Sequence, residues 1–450
     1  MSLCERGADM RPLACVAGCA SGLLLGALAS SFIGAGARPQ RTRDVLQRPP
    51  DEFAYEYLSH EQRLAAIRLA APDIASVLPL RFEAGLENPC FRAVDGGLRC
   101  LPAFLIAGAM QSGTSALWKR LKVHALVPSS HDGASHWWTL HPRSRAGSFE
   151  RYTGLFSSNA TLARLRRKPR SLLGEVSQAT FTYMMAEQLR LHYLYLDAFA
   201  TCHGRCRSRH PPVEHAVECA RRTYDFAHCY SAANNATVPE SFNIPSLIAT
   251  VLAARPPKVI ALLRDPSSRL WTAFWEYGQY PAKYGASHAG FGYYFGNQSA
   301  SFHACVATDG RGRRRCALRF EAYGAAEAGV YYHCDQLVKG MYAAFLPEWQ
   351  AALPRGHLLL MRTEDAVAHP MRTLRRVVAH LSLRPMRDDE LRTARELRLT
   401  DEGERVKAIH GLPDVATREA VRAFYHPFNR ALAAQLEDTA FLWRHVDGWT

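Results

Sequence analysis

Residues Phe104 to Val123 read FLIAGAMQSGTSALWKRLKV, and the fold of the chain turns on this stretch. Phe104, Leu105 and Ile106 form a short apolar run, the length of a buried strand. Gly108 to Ser115 follows as a loop bracketed by Gly108 and Gly113, and then Ala116, Leu117 and Leu121 fall at helical spacing. A strand, a glycine-bracketed loop and a helix start predict a phosphate cradle, because successive backbone N–H groups and the helix dipole converge on one point. The Gly-x4-Gly spacing matches a Walker-type loop, except that Thr114 stands where a nucleotide triphosphatase needs Lys.

Outward from this stretch, further short apolar runs read as strands: Ser171 to Gly174, Lys258 to Leu263 and His357 to Met361. Helical patterns lie between them, including Met371 to Leu383, where Leu374, Val377, Val378 and Leu381 make one core-facing stripe. Strands alternating with helices predict an α/β fold: a parallel central sheet with helices on both faces and a P-loop-like first turn. Thr201 to Val238, rich in Cys, His and Arg, and Ser287 to Arg315, rich in Gly, aromatics and Arg, read as cysteine-rich insertions. Cys202, Cys206, Cys219 and Cys229 with the neighbouring histidines lack the regular spacing of a zinc site, so disulfides are the expectation there. The cluster Arg311 to Arg315 is open to two readings, an anionic-glycan contact or a solvated loop.

The 450 residues carry a formal net charge of +14, which favours anionic partners such as phosphorylated cofactors or sulfated glycans. No long Lys/Arg tail marks a nucleic-acid arm, so nucleic acid is not an expected partner. Pro12 to Ala37 has no charged residue and is long enough to span a bilayer. Its small residues also suit a cleaved signal peptide. We read a short tail (1–11), a transmembrane signal anchor (12–37), a stem (38–89) and a lumenal domain (90–450). A helix over Asp51 to Ala71, ended by Pro72, is expected within the stem.

Arg38, Arg41, Arg43 and Arg48 follow the apolar segment and outnumber Arg6 and Arg11 before it, which opposes a lumenal bulk. The triplets at Asn159, Asn235 and Asn297 favour it, as acceptors for glycosylation. So do the cysteines: nine of the twelve lie beyond the segment, several closely spaced, as at Cys90 and Cys100 or Cys305 and Cys316. Close cysteines in a tethered chain read as disulfides of an oxidising compartment, and the odd number leaves Cys334 or another free or paired elsewhere.

A second loop complements the first. Lys258 to Tyr280 reads KVIALLRDPSSRLWTAFWEYGQY, a strand running into Arg264-Asp265-Pro266 and a helix that carries Arg269 and Thr272. An Arg at the carboxyl end of a parallel strand faces the crevice where α/β folds bind ligands, and its fork suits a phosphate. An Arg–Asp pair capping the turn is the alternative.

Together the two loops resemble those of the sulfotransferases that use 3′-phosphoadenosine 5′-phosphosulfate (PAPS), whose motifs are strand–GxxKxGT–helix and strand–RDPxxRxxSxY. The likeness covers roughly Leu101 to His445. It extends to His136-Trp137-Trp138-Thr139, Leu173-Gly174-Glu175, Met361 to Asp365 and the ending Phe424 to Leu432. On those segments the chain looks like the Golgi N-acetylgalactosamine 4-sulfate 6-O-sulfotransferase group.

The resemblance implies a metal-independent transfer from PAPS to a glycan hydroxyl, in a single-pass Golgi membrane protein with a lumenal catalytic domain. It implies that Gln111, Ser112, Gly113, Thr114 and Ser115 hold the 5′ end of the nucleotide, and that Arg264 and Thr272 hold its 3′-phosphate. The loop at Gly411 to Asp414 resembles the segment that closes over the nucleotide in that group. Two departures stand out. Gln111 occupies the place of the family's loop Lys, and Gly133-Ala134-Ser135-His136 replaces a Lys-Glu-x-His, leaving His136 and Glu175 as candidate bases with Asp132 behind them. A catalytically weakened relative, or less plausibly a P-loop kinase, are the competing readings.

Overall fold

A short antiparallel hairpin precedes a four-stranded parallel sheet in the computed structural model of the protein. The structure describes residues 53, 55–128, 134–139, 148–183, 242–309, 312–319, 336–397, 399 and 401–444. The hairpin pairs β1 (Cys90–Arg92) with β2 (Leu98–Cys100), and the Cys90–Cys100 disulfide joins directly opposed residues. The sheet consists of β3 (Phe104–Gly108), β4 (Gly174–Val176), β5 (Lys258–Leu263) and β6 (Leu358–Arg362), in the order β4-β3-β5-β6. All three pairings are parallel.

Ten helices serve the description below: α1 (His60–Ala70), α2 (Thr114–Leu121), α3 (Ile244–Val251), α4 (Pro266–Glu276), α5 (His288–Asp309), α6 (Tyr342–Ala352), α7 (Pro370–His380), α8 (Asp388–Glu396), α9 (Glu402–His410) and α10 (Val415–Leu436). Successive strand residues point to opposite faces. Phe104, Ile106, Ile260, Leu262 and Met361 pack on one face with Leu117 and Leu121 of α2, Leu374, Val377 and Val378 of α7, and Ala394 of α8. On the other face Leu358 and Leu360 line a cavity together with Trp349 of α6, and Trp349 stacks on Phe181 with ring centroids 6.0 Å apart. The stripe read on Met371 to Leu383 is the core face of α7.

Several expectations shift. The edge strand is Gly174–Val176 rather than Ser171 to Gly174. Leu173 is buried ahead of it, but the pairing residues include Glu175, whose charge disguises a buried strand. The helix expected over 51–71 begins only at His60, where the Ser59 hydroxyl and the Gln62 side chain form a reciprocal cap. Pro72 opens a short following helix, Pro72–Ala75, as its first residue. Residues of the expected stem are built into the packed domain. Phe53 meets Phe428 edge-on, and Arg63 donates to Thr250 of α3 at 2.9 Å.

The stretch Ser287 to Arg315 is mostly α5, whose Phe291 and Tyr294 pack on Phe274 of α4. The Cys305–Cys316 disulfide ties α5 to the helix Gly312–Arg319. From that helix Arg314 pairs with the fully buried Glu348 of α6 at 2.5 Å, so one arginine of the basic cluster is structural. The apolar stretch 12–37, the cysteines at 202, 206, 219, 229 and 334, Asn235 and Asp132 lie outside the described residues. Among the described residues no helix is long and apolar enough to cross a membrane. Asn159 and Asn297 are exposed.

One glycine in the sheet has no room to spare. A Cβ on Gly174 would fall 2.1 Å from the ring of Phe104, itself fully buried. We expect Gly174→Ala to lower stability by about 3 kcal/mol, the upper end of ordinary overpacking. A urea titration of the purified variant checks this, and an unchanged midpoint would show that the ring can move aside.

Candidate active site

The carboxyl ends of β4, β3 and β5 are neighbours, and the chain leaving each one contributes to a common mouth. From β3, the Ala109 N–H donates to the Leu262 carbonyl at 2.7 Å before the loop turns. Gln111 (φ 58°) and Gly113 (φ 78°) both take left-handed backbone, which Gly113 adopts without strain. Gly113 caps α2 without a side-chain acceptor, leaving the first-turn N–H groups of the helix to an outside anion. The Thr363 hydroxyl donates to the Ser112 carbonyl at 2.9 Å and pins the loop. Ser112 and Thr114 are buried, Gln111 is half-buried and Ser115 is exposed. A cavity of about 220 Å³ opens beside the loop, lined by Ser112, Gly113, Arg120, Thr363 and Asp401 among others.

At the end of β5, Arg264 is almost wholly buried. Its guanidinium reaches the Thr272 hydroxyl at 3.5 Å and forms an ion pair with Asp401. Asp401 is also the N-cap of α9, accepting from the Glu404 N–H at 3.1 Å. Gly403 makes this approach possible, since a Cβ there would come within 2.4 Å of the guanidinium. At the far end of α9, His410 stacks on Trp275 at 3.6 Å and the Gly411 carbonyl accepts from the Trp271 indole at 3.2 Å. Asp265 caps α4 through the Ser267 N–H. Burial, followed by the charge of Glu364, pushes its carboxyl up to about 7.

Beyond β4 the chain builds a hydroxyl-lined carboxylate. Glu175, 2% exposed, accepts from Ser135, from Ser177 at 2.5 Å and from the Tyr152 hydroxyl at 2.5 Å. The Trp138 indole donates to that same Tyr152 oxygen at 2.9 Å, and Trp137 stacks on the tyrosine ring. Burial, then the nearby Glu175 charge, drive the Tyr152 hydroxyl well above its usual range. His136 hangs from the same cluster, its backbone N–H donating to Ser177 at 3.0 Å. It takes left-handed backbone (φ 49°), and its buried Nδ1 has no hydrogen-bond partner among the described residues. Burial and then the charge of Lys339 hold the imidazole below its ordinary pKa of 6.5.

No family model matches the chain. Carbohydrate sulfotransferase 15 of Rattus norvegicus is 25% identical to it over 369 residues. The proteins of the same name from Mus musculus and Homo sapiens are 25% identical over 371 and 352 residues. The chain resembles the carbohydrate sulfotransferases. Each alignment takes in 77% of this chain and 55% of the relative, so the chain spans about half the length of the curated relatives it matches. A solved sulfotransferase from Alicyclobacillus acidocaldarius aligns over 78% of this chain and 98% of its own, at 15% identity and a TM-score of 0.36, too distant a likeness to weigh.

The residues singled out in the sequence therefore fall at one end of the sheet. The loop 111–115 follows β3, Arg264 and Thr272 follow β5, and His136 joins Glu175 through Ser177. Gly411 is exposed, and its carbonyl accepts from the indole of Trp271, the neighbour of Thr272 on α4. Sequence reasoning missed Asp401, Tyr152, Ser135, Ser177 and Thr363. Asp401 alone had a local signal, an acidic residue three before Glu404 at a helix start. Its partner, 137 positions away, had none.

Proposed function

We propose that the protein transfers a sulfuryl group from PAPS to a hydroxyl of an anionic glycan. The observation that carries this is the placement of two anion-holding devices, the loop 111–115 and the Arg264–Thr272 pair, at the ends of adjacent parallel strands. PAPS, when bound, supplies the sulfuryl group and the bisphosphate leaving group. The residues fit it: α2 offers first-turn N–H donors, and the slot at Arg264 already receives an anionic oxygen, that of Asp401. Ser112, Gly113 and Thr114 would hold the 5′ end. Arg264 and Thr272 would hold the 3′-phosphate once Asp401 yields.

His136 is the base in this scheme. Its depressed pKa keeps the imidazole neutral at neutral pH and ready to take the proton of the acceptor hydroxyl. Glu175 is assigned to positioning, since both of its oxygens already accept hydroxyl hydrogens and one of those hydroxyls carries His136. We further propose the arrangement read from the sequence: an anchor over 12–37 in the Golgi membrane, with the catalytic domain in the lumen.

Incubating the purified chain with radiolabelled PAPS and a panel of sulfated and unsulfated glycans tests the assignment. Label transfer to at least one glycan is expected, together with binding of adenosine 3′,5′-bisphosphate by calorimetry. Absence of both would sink it.

A further inference from the structure

The candidate active site lies at the carboxyl ends of the strands, and the amino end of β4 carries a different kind of surface. Residues 166–170 read RRKPR, and all five are exposed. Arg166 and Arg167 close the helix Asn159–Arg167, Lys168 is its C-cap, and Arg170 follows Pro169. The helix dipole favours cations in the last turn, Arg164 among them, but its influence fades beyond that turn and does not account for Arg170. Exposed arginines elsewhere find carboxylates: Arg92 meets Glu83 at 2.9 Å, and Arg387 meets Asp389 at 3.4 Å. Among the described residues, Arg166, Arg167, Lys168 and Arg170 have no such partner.

The backbone that carries them is tied down. The Lys168 N–H donates to the Arg164 carbonyl at 2.8 Å, and the Ser171 N–H donates to the Lys168 carbonyl at 2.9 Å. The side chain of the fully buried Asn88 donates to the Ser171 carbonyl and accepts from the Leu173 N–H, both at 2.7 Å. Arg164 reaches the Ala125 carbonyl at 2.7 Å. The strand β4 begins at Gly174, just beyond this turn. The four cations therefore stand at one end of the strand whose other end leads to Glu175, Ser177 and His136.

Unpaired charges on a fixed turn suit a linear polyanion, and arginine forks match sulfate and carboxylate oxygens. Residues 159–173 include no aromatic side chain, so they offer no platform on which nucleic-acid bases could stack. Leu165 is buried, and Leu162 and Leu172 are half-buried, so no exposed apolar residue is presented for insertion into a bilayer. We propose that Arg166, Arg167, Lys168 and Arg170 form a second polysaccharide-binding site, which holds a sulfated acceptor chain while another segment of the same chain enters the active site. This deepens the sulfuryl-transfer reading and rests on it for the acceptor's role. From Arg170 to Ser177 the backbone spans roughly 20 Å, at about 3.3 Å per extended residue. A long chain held at the first point is concentrated at the second, whereas a disaccharide is too short to bridge them.

Replacing all four cations together (Arg166→Gln, Arg167→Gln, Lys168→Gln and Arg170→Gln) in the full chain tests this. Binding to immobilised chondroitin sulfate should weaken about tenfold or more at low salt, and the slope of log Kd against log NaCl should fall by about three. The same charge change at Arg372, Arg375, Arg376 and Arg392, exposed on α7 and α8, should leave Kd within about threefold. Changing only the three arginines of the patch to Lys should keep most of the binding, and a thermal melt confirms that each variant is folded. In the transfer assay KM for full-length chondroitin sulfate should rise about tenfold with kcat unchanged, while kinetics with a sulfated disaccharide stay native. Native binding in the patch variant, an equal loss in the charge-matched control, or an unmoved KM for the long chain would each overturn the proposal. So would a loss confined to phosphatidylserine vesicles or to duplex DNA. Patch-dependent binding by a native chain that transfers no label would retain the polysaccharide site and overturn the sulfuryl-transfer reading instead.

Discussion

Arg264→Ala is expected to weaken adenosine 3′,5′-bisphosphate on the order of a hundredfold or more. Charge-assisted hydrogen bonds contribute roughly 1.5–3 kcal/mol each, and a guanidinium makes two to one phosphate. Arg264 is nearly buried, so solvent screens it little. The loss should appear in Kd and KM together, because the contact is made to a part of the nucleotide that does not react. Removing the arginine also leaves Asp401 without its ion-pair partner, and that carboxylate is largely buried. Arg264→Lys separates the two effects: it keeps a positive charge beside Asp401 but loses the fork, and should recover the fold with only part of the affinity. Calorimetry on both variants, with a thermal melt as control, decides the matter. Native affinity in Arg264→Ala would remove the 3′-phosphate from this slot.

His136→Gln should act on the other half of the reaction. Loss of a general base costs about two to four orders of magnitude in turnover, with bisphosphate affinity left intact. The sign of the pH dependence follows from the environment of the ring. Burial and Lys339 hold the imidazole below 6.5, so the native rate is level through neutrality and drops only as pH falls through that depressed value. The variant should lose this acid limb altogether. A rate that still falls on the same limb would assign the titration to another group.

Much of the sheet was legible because a strand buried on both faces must be continuously apolar. Lys258–Leu263 is such a run and lies where it was expected. Gly174–Val176 broke the pattern with one glutamate, which is met by the Ser177 hydroxyl just past the strand and by the hydroxyls of Ser135 and Tyr152 from elsewhere in the chain. The loop between β3 and α2 was legible for a different reason: left-handed backbone at Gly113 followed by a helix start favours glycine, and glycine is visible in a sequence. The residues that complete the site were not. Asp401 owes its role to an arginine at the end of β5, 137 positions away.

The ion pair between Asp401 and Arg264 has a bearing on how fast the site could empty. A carboxylate fixed to the end of α9 is a competitor that never diffuses away, present at the high effective concentration of any tethered group. A nucleotide arriving at Arg264 exchanges one anion for another, which trims its net affinity. On departure the same exchange runs in reverse, and the returning carboxylate prevents the guanidinium from being left bare in a dry pocket. On the proposed sulfuryl-transfer reading, spent bisphosphate would be escorted out, an advantage wherever product release sets the pace of a cycle.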